Sequence, residues 1–230
     1  MTDSAAVQDP VPQARSAEVC APSWGRRALV VAPLGVALLA GRGLSSQPVP
    51  ALAWAALAAV PLGTLVGARG LPALLLAPAV WLLAEPGPRP GGALVAVAAL
   101  ALLGAGLGDL FAARERHLSS RPALQPGRLA CAGTLALLAA LLTVLPLVLG
   151  PASGPGWEPA LVARALDLSP VTLVVEAAGH DWLRDPAIYD AAGGDAIGPD
   201  LRTPLGWLAA GVPALVGCAA LGAARARVRP

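Results

Sequence analysis

The sequence predicts an all-α integral membrane protein with six transmembrane helices and two short re-entrant or interfacial helices in the outer loop before the last span. Three observations lead there. The 230-residue chain is 56% hydrophobic and only 13% charged, with mean hydropathy +0.67, whereas a soluble domain carries about 25% charged residues. Its apolar residues fall into six runs of helical length. Its arginines cluster in alternate connections between those runs.

Residues 1–27 are polar and rich in proline, alanine and acids, the composition of a disordered cytoplasmic tail. Arg26 and Arg27 precede a short apolar run, as in a twin-arginine signal, but no small-x-small cleavage site follows, so the run is read as an uncleaved first span. That span, 28–46, reaches full length if Arg42 extends its guanidinium to the interface. The second, 50–67, is uncharged. The third, 71–84, carries Pro72 and Pro78 and stops at Glu85–Pro86, so it is either a short tilted crossing or a re-entrant segment. Runs 91–111, 129–150 and 205–224 meet the about 20 residues that cross a bilayer core. A basic tail, 225–230, closes the chain.

Charge placement orients this series. With six crossings and the N-terminus inside, Arg69, Arg114, Arg116, Arg121, Arg128, Arg225, Arg227 and Arg229 join Arg15, Arg26 and Arg27 on the cytoplasmic side. Only Arg42, Arg89, Arg164, Arg184 and Arg202 remain outside. The reading is therefore a bacterial cytoplasmic (inner) membrane protein with both termini cytoplasmic and residues 151–204 as an external loop.

Several functions are excluded at this stage. A net charge of +2 offers nothing for nucleic acid. Cys20, Cys131 and Cys218 are too far apart in sequence for a metal motif. No H-E-x-x-H, G-x-S-x-G or glycine-rich phosphate loop occurs, so neither a cofactor nor catalysis is expected. Gly63 and Gly67 form one small-xxx-small pattern and Gly104 and Gly108 another, expected to pack helices within the bundle.

The polar residues worth weighing are few. Asp109 is the only acid in or beside the most apolar runs. It marks an ion path or an interfacial pair with Arg114 or Arg116. His180, Asp181, Asp185, Asp190, Asp195 and Asp200 contain the elements of an oxygen-rich site, but their spacing fits neither an EF-hand nor zinc, and a solvated acidic loop is the plainer reading.

The stretch PGWEPALVARALDLSPVTLVVEA, residues 155–177, is half apolar and interrupted by prolines and charges. Residues 157–168 form one short amphipathic helix, with Trp157 at headgroup level. Ser169 is placed as N-cap and Pro170 as the first position of a second, 171–178, stopped by Gly179. An Arg164–Glu176 contact is expected to hold the two together.

This stretch resembles the segment before the last span in permease subunits of type-2 ATP-binding-cassette exporters. The resemblance rests on Pro155, Gly156, Trp157, Leu168, Ser169, Pro170, Thr172, Val175, Glu176 and Ala177, and on the six-span plan. It implies a transport subunit driven by a separate cytoplasmic ATPase and working as a homodimer or as a heterodimer with another six-span subunit. Where that family has a coupling helix between spans two and three, this chain has only GARGLP, and its longest inner connection follows span four. The alternative is a non-catalytic membrane scaffold or accessory protein whose acidic outer loop binds a partner. An enzyme using His180 and nearby aspartates is a third, more distant possibility.

Overall fold

A computed structural model describes residues 48–84, 89–118, 126–152, 168–180 and 209–228. The expected tail 1–27, first span 28–46, residues 157–167 of the helix expected over 157–168, with Arg164, and the acidic segment 181–208 lie outside the described residues. Within them the chain is helical, with no strand. The helices are α1 (Pro48–Ala84), α2 (Pro90–Leu118), α3 (Pro126–Ala152), α4 (Pro170–Ala177) and α5 (Gly211–Val228). By length and composition three stretches are long and apolar enough to cross a membrane: Ala51–Leu76, which contains the break at Gly67, Gly91–Glu115 and Gly127–Val144. They mark the chain as a helical membrane protein.

Four of the five helices begin with a proline. The first helical position has no intrahelical use for its N–H, and the ring already holds φ near the helical value, so proline starts helices there without cost. The last span, expected over 205–224, continues as α5 to Val228, through Arg225 and Arg227. These cations lie at the negative end of the helix dipole.

The second and third apolar runs are joined differently from the expected spans with a loop between them. Helix runs from Pro48 to Ala84 and is broken at one residue, Gly67, with φ 64° and ψ −175°. That backbone region is essentially closed to residues with a Cβ. The break reverses the chain, as the packing of α2 demonstrates. Gly104 lies against the Val60 carbonyl and Gly108 against the Thr64 carbonyl, so residues 48–66 run parallel to α2. Extending that register sets Pro48 beside the start of α2, and residues 68–84 must carry the chain back between them. Seventeen helical residues cover about 25 Å, enough for the return.

The other directions follow from contacts. Gly127 and Arg128, at the start of α3, meet Glu115, Asp109 and Gly108 near the end of α2, so α3 runs antiparallel to it. Gly217 of α5 packs on Leu102, Leu103 and Gly106, while Ala210 joins the core formed by the first half of α2. Thus α5 is parallel to α2. Arg69, Arg114, Arg128, Arg225 and Arg227 therefore gather at one end of the bundle, and Arg89 lies at the other.

The core is built mainly from small side chains: Ala55, Ala56, Ala59, Ala93, Ala96 and Ala101 are nearly or fully buried, with Leu74, Val97, Val174 and Val175 filling the remaining space. A Cβ on Gly63, Gly104 or Gly108 would collide with backbone of the facing helix. The expected glycine seams are thus seams within one chain. In lipid, where apolar surface gains little from association, such close approach supplies the dispersion that holds helices together.

Candidate functional site

Polar groups concentrate at the two ends of the bundle. At the arginine-rich end the chain turn at Gly67 exposes the first N–H groups of the returning helix, and a helix start carries partial positive charge. Asp109 of α2 answers it: its Oδ2 accepts from the Ala68 N–H at 3.1 Å. Its Oδ1 pairs with Nη2 of Arg128, the third residue of α3. Arg128 also directs Nε to the Gly108 carbonyl at 3.4 Å. Both side chains are about three-quarters buried, at 21% and 28% exposure, which favours a pair over either charge alone.

One turn and a half further along α2, Glu115 repeats the arrangement. Its Oε1 accepts from the Gly127 N–H at 2.6 Å, at the first turn of α3. The two carboxylates of α2 thus each cap a helix that runs the opposite way. Gly67 is required here for space as well as conformation, because a Cβ would enter Asp109 and Arg128.

The expectation for Asp109 is corrected in one respect. Its partner is Arg128, nineteen residues along the chain; Arg114 is exposed, and the side chain of Arg116 lies outside those described. Arg114 lies five positions on, so it points to a different side of the helix, whereas the antiparallel return of α3 brings Arg128 alongside.

At the opposite end stands α4, shifted by one residue from the expected 171–178. Ser169 has the extended backbone of an N-cap, φ −73° and ψ 126°, and Pro170 opens the helix. The Ser169 hydroxyl makes no cap bond; it lies 3.2 Å from Thr143 Oγ1 on α3. Thr143 directs its own proton to the Ala139 carbonyl at 2.8 Å. A hydroxyl has one proton to give, so Ser169 is the donor to Thr143.

The helix ends on Gly179, with φ 82°. The Gly179 N–H donates to the Glu176 carbonyl at 2.9 Å and the His180 N–H to the Val175 carbonyl at 3.1 Å, the paired bonds of a Schellman stop. Arg89 N–H donates to the Ala178 carbonyl at 3.0 Å, tying this stop to the start of α2.

Of the motif residues expected to matter, Ser169, Pro170, Thr172, Val175 and Ala177 are buried, whereas Leu168 is exposed and Glu176 is half-buried. An eight-residue helix with seven buried residues is packed within the bundle, where its mixed sequence left a re-entrant or an interfacial position open. The surrounding ends of α1 and α2 are alanine-rich and leave room for it. Pro155, Gly156, Trp157 and Arg164 lie outside the described residues, as does the Arg164–Glu176 contact. His180 contributes its backbone to the helix stop and is half-buried. Among the described residues no three His, Cys, Asp or Glu side chains converge as metal ligands.

Sequence reasoning missed Arg128, Thr143 and Glu115. Arg128 and Glu115 were visible as charges flanking a span, and the separation that pairs them with α2 and α3 is set by the turn between those helices.

Comparison with protein-family models, curated protein sequences and solved structures finds no match to this chain.

Proposed function

We propose that this chain is a six-span subunit of a bacterial cytoplasmic membrane transporter, most simply the permease half of an exporter driven by a separate ATP-binding-cassette ATPase. The alternating helix directions support the six crossings. Residues 48–66, 68–84, α2, α3 and α5 run in the sequence down, up, down, up, down, which leaves 28–46 as the remaining first crossing. The gathering of five arginines at one end makes that end cytoplasmic by the positive-inside rule.

The observation that carries the transport reading is α4. A short helix with a Ser-Pro start, buried at the outer end of the bundle before the last span, is the part that the resemblance assigns to the exit side. It forms a re-entrant element in this reading. Its partners are the lipid bilayer, a cytoplasmic ATPase and a second six-span subunit.

The turn at Gly67 favours a second reading. Helix on both sides of one glycine leaves no separate coupling helix between spans two and three. An ATPase would engage the longer inner connection, 119–125. An accessory protein whose acidic outer loop binds a partner needs no such contact.

Purification from native membranes in a mild detergent separates the two. The transport reading expects an ATPase to co-elute in fixed stoichiometry and to hydrolyse ATP with vanadate sensitivity. A chain that elutes without any ATPase, but with an external protein lost on deleting residues 181–200, replaces it with the accessory reading.

A further inference from the structure

The geometry points to α3 as a one-sided hinge: fixed to the bundle at the arginine-rich end and, among the described residues, latched toward the far end by the Thr143–Ser169 hydroxyl contact, so that it swings away from α4. The outward direction of that opening rests on the six-span reading above; the hinge itself does not.

The asymmetry is on the page in three respects. The first is burial. Half of the most apolar window of Ala51–Leu76 and of Gly91–Glu115 is buried within the chain, against 11% for Gly127–Val144. Among the described side chains of α3, Ala132 and Ala139 are buried, each offering a single methyl, and Leu135 packs partly buried against the core. Leu129, Leu137, Leu138, Leu141 and Val144 are exposed, at 47% to 71%. Apolar packing therefore holds this helix less firmly than it holds α1 and α2.

The second respect is the polar fastening. At one end α3 is tied by an ion pair, Arg128 to Asp109, and by two hydrogen bonds to α2, Gly127 N–H to Glu115 and Arg128 Nε to the Gly108 carbonyl. Charged partners make these the stronger kind. Toward the other end the described residues supply one neutral contact, Ser169 to Thr143 at 3.2 Å.

The third respect is what happens when each contact breaks. Parting Asp109 from Arg128 strands two partly buried charges and leaves the Ala68 helix start uncapped. Parting Ser169 from Thr143 strands little. Thr143 keeps its bond to the Ala139 carbonyl. The Ser169 hydroxyl is released at the very start of α4, where the N–H groups of the first turn lack intrahelical partners, and its backbone already has N-cap geometry. The latch can therefore exchange a hydroxyl contact for a cap bond. Such a contact opens readily, whereas the ion pair does not.

The test measures distances on the full-length chain in lipid nanodiscs, with the native cysteines replaced and nitroxide pairs at exposed positions. Leu141 on α3 with Val95 on α2 reports the latch end. Ala130 with Phe111 reports the fixed end. The proposal expects a broad or two-peaked distribution for Leu141–Val95 and a narrow one for Ala130–Phe111. Ser169→Ala with Thr143→Val should broaden the first pair alone, and a disulfide between Thr143→Cys and Ser169→Cys should narrow it. Equal, narrow distributions at both ends of the unlatched chain overturn the hinge, and so does a latch variant that broadens both pairs alike. Loss of the six-span reading shows separately, as labelling of positions 121 and 195 from the same side, and leaves these distances unchanged.

Discussion

Gly67 and Asp109 illustrate how much depends on single residues. Gly67 holds a backbone angle that a Cβ disfavours, and the space a Cβ would take is filled by Asp109 and Arg128. Gly67→Ala is expected to cost about 1–3 kcal/mol from the backbone alone, read as a lower melting temperature of the detergent-solubilised protein. Gly222 is a useful contrast, since nothing lies within 4 Å of its Cβ position. Gly222→Ala should cost distinctly less, and equal losses at both positions would deny Gly67 its special role. At Asp109 the order of effects is the test. Asp109→Asn retains an oxygen for the Ala68 N–H but loses the charge facing Arg128, whereas Asp109→Ala loses both. The alanine variant should therefore be the less stable, and a double-mutant cycle of Asp109→Ala with Arg128→Ala should show coupling above the about 0–1 kcal/mol of exposed pairs. Asp109 was legible in the sequence as an unusual acid in an apolar run. Its partner was not, because Arg128 lies nineteen residues away and only the return of α3 brings it alongside.

Among the elements, α4 was the most legible. Ser169, Pro170 and Gly179 delimit it by backbone chemistry that needs no tertiary partner: an N-cap conformation, a pre-set φ and a left-handed stop. Gly179→Ala should raise hydrogen exchange at residues 175–180, since a left-handed alanine costs about 1–2 kcal/mol. Exchange unchanged there would show that burial, not the stop, holds the helix end. Prolines 48, 90 and 126 are start signals of the same kind, and they locate α1, α2 and α3 better than apolar length did. The depth of α4 was not legible. Its sequence is of mixed polarity, and the alanine-lined site between α1 and α2 that buries seven of its eight residues exists only once those helices have packed.

For the whole molecule, the six-span topology is the claim most directly exposed to experiment. A single cysteine at position 121 should react with a membrane-impermeant maleimide only in inverted vesicles, and one at position 195 only in intact cells or right-side-out vesicles. Both reacting from one side would remove the arrangement. The glycine seams give a second test at this scale: Gly104→Leu drives a side chain into the Val60 carbonyl, so it should lower yield and melting temperature. Gly133→Leu, with nothing within 4 Å of its Cβ position, should leave both nearly unchanged. By itself the sequence determined that this is a helical membrane protein, where most of its helices begin, and which end carries the arginines. Those features follow from transfer of apolar side chains into lipid, from proline and glycine backbone limits, and from charge, all of which act locally. Only the tertiary structure decided that residues 48–84 fold back at Gly67, that Asp109 and Glu115 cap neighbouring helices, and that α4 is seated inside the bundle. Each of these depends on groups brought together from distant parts of the chain, where glycine and alanine surfaces let the backbones approach.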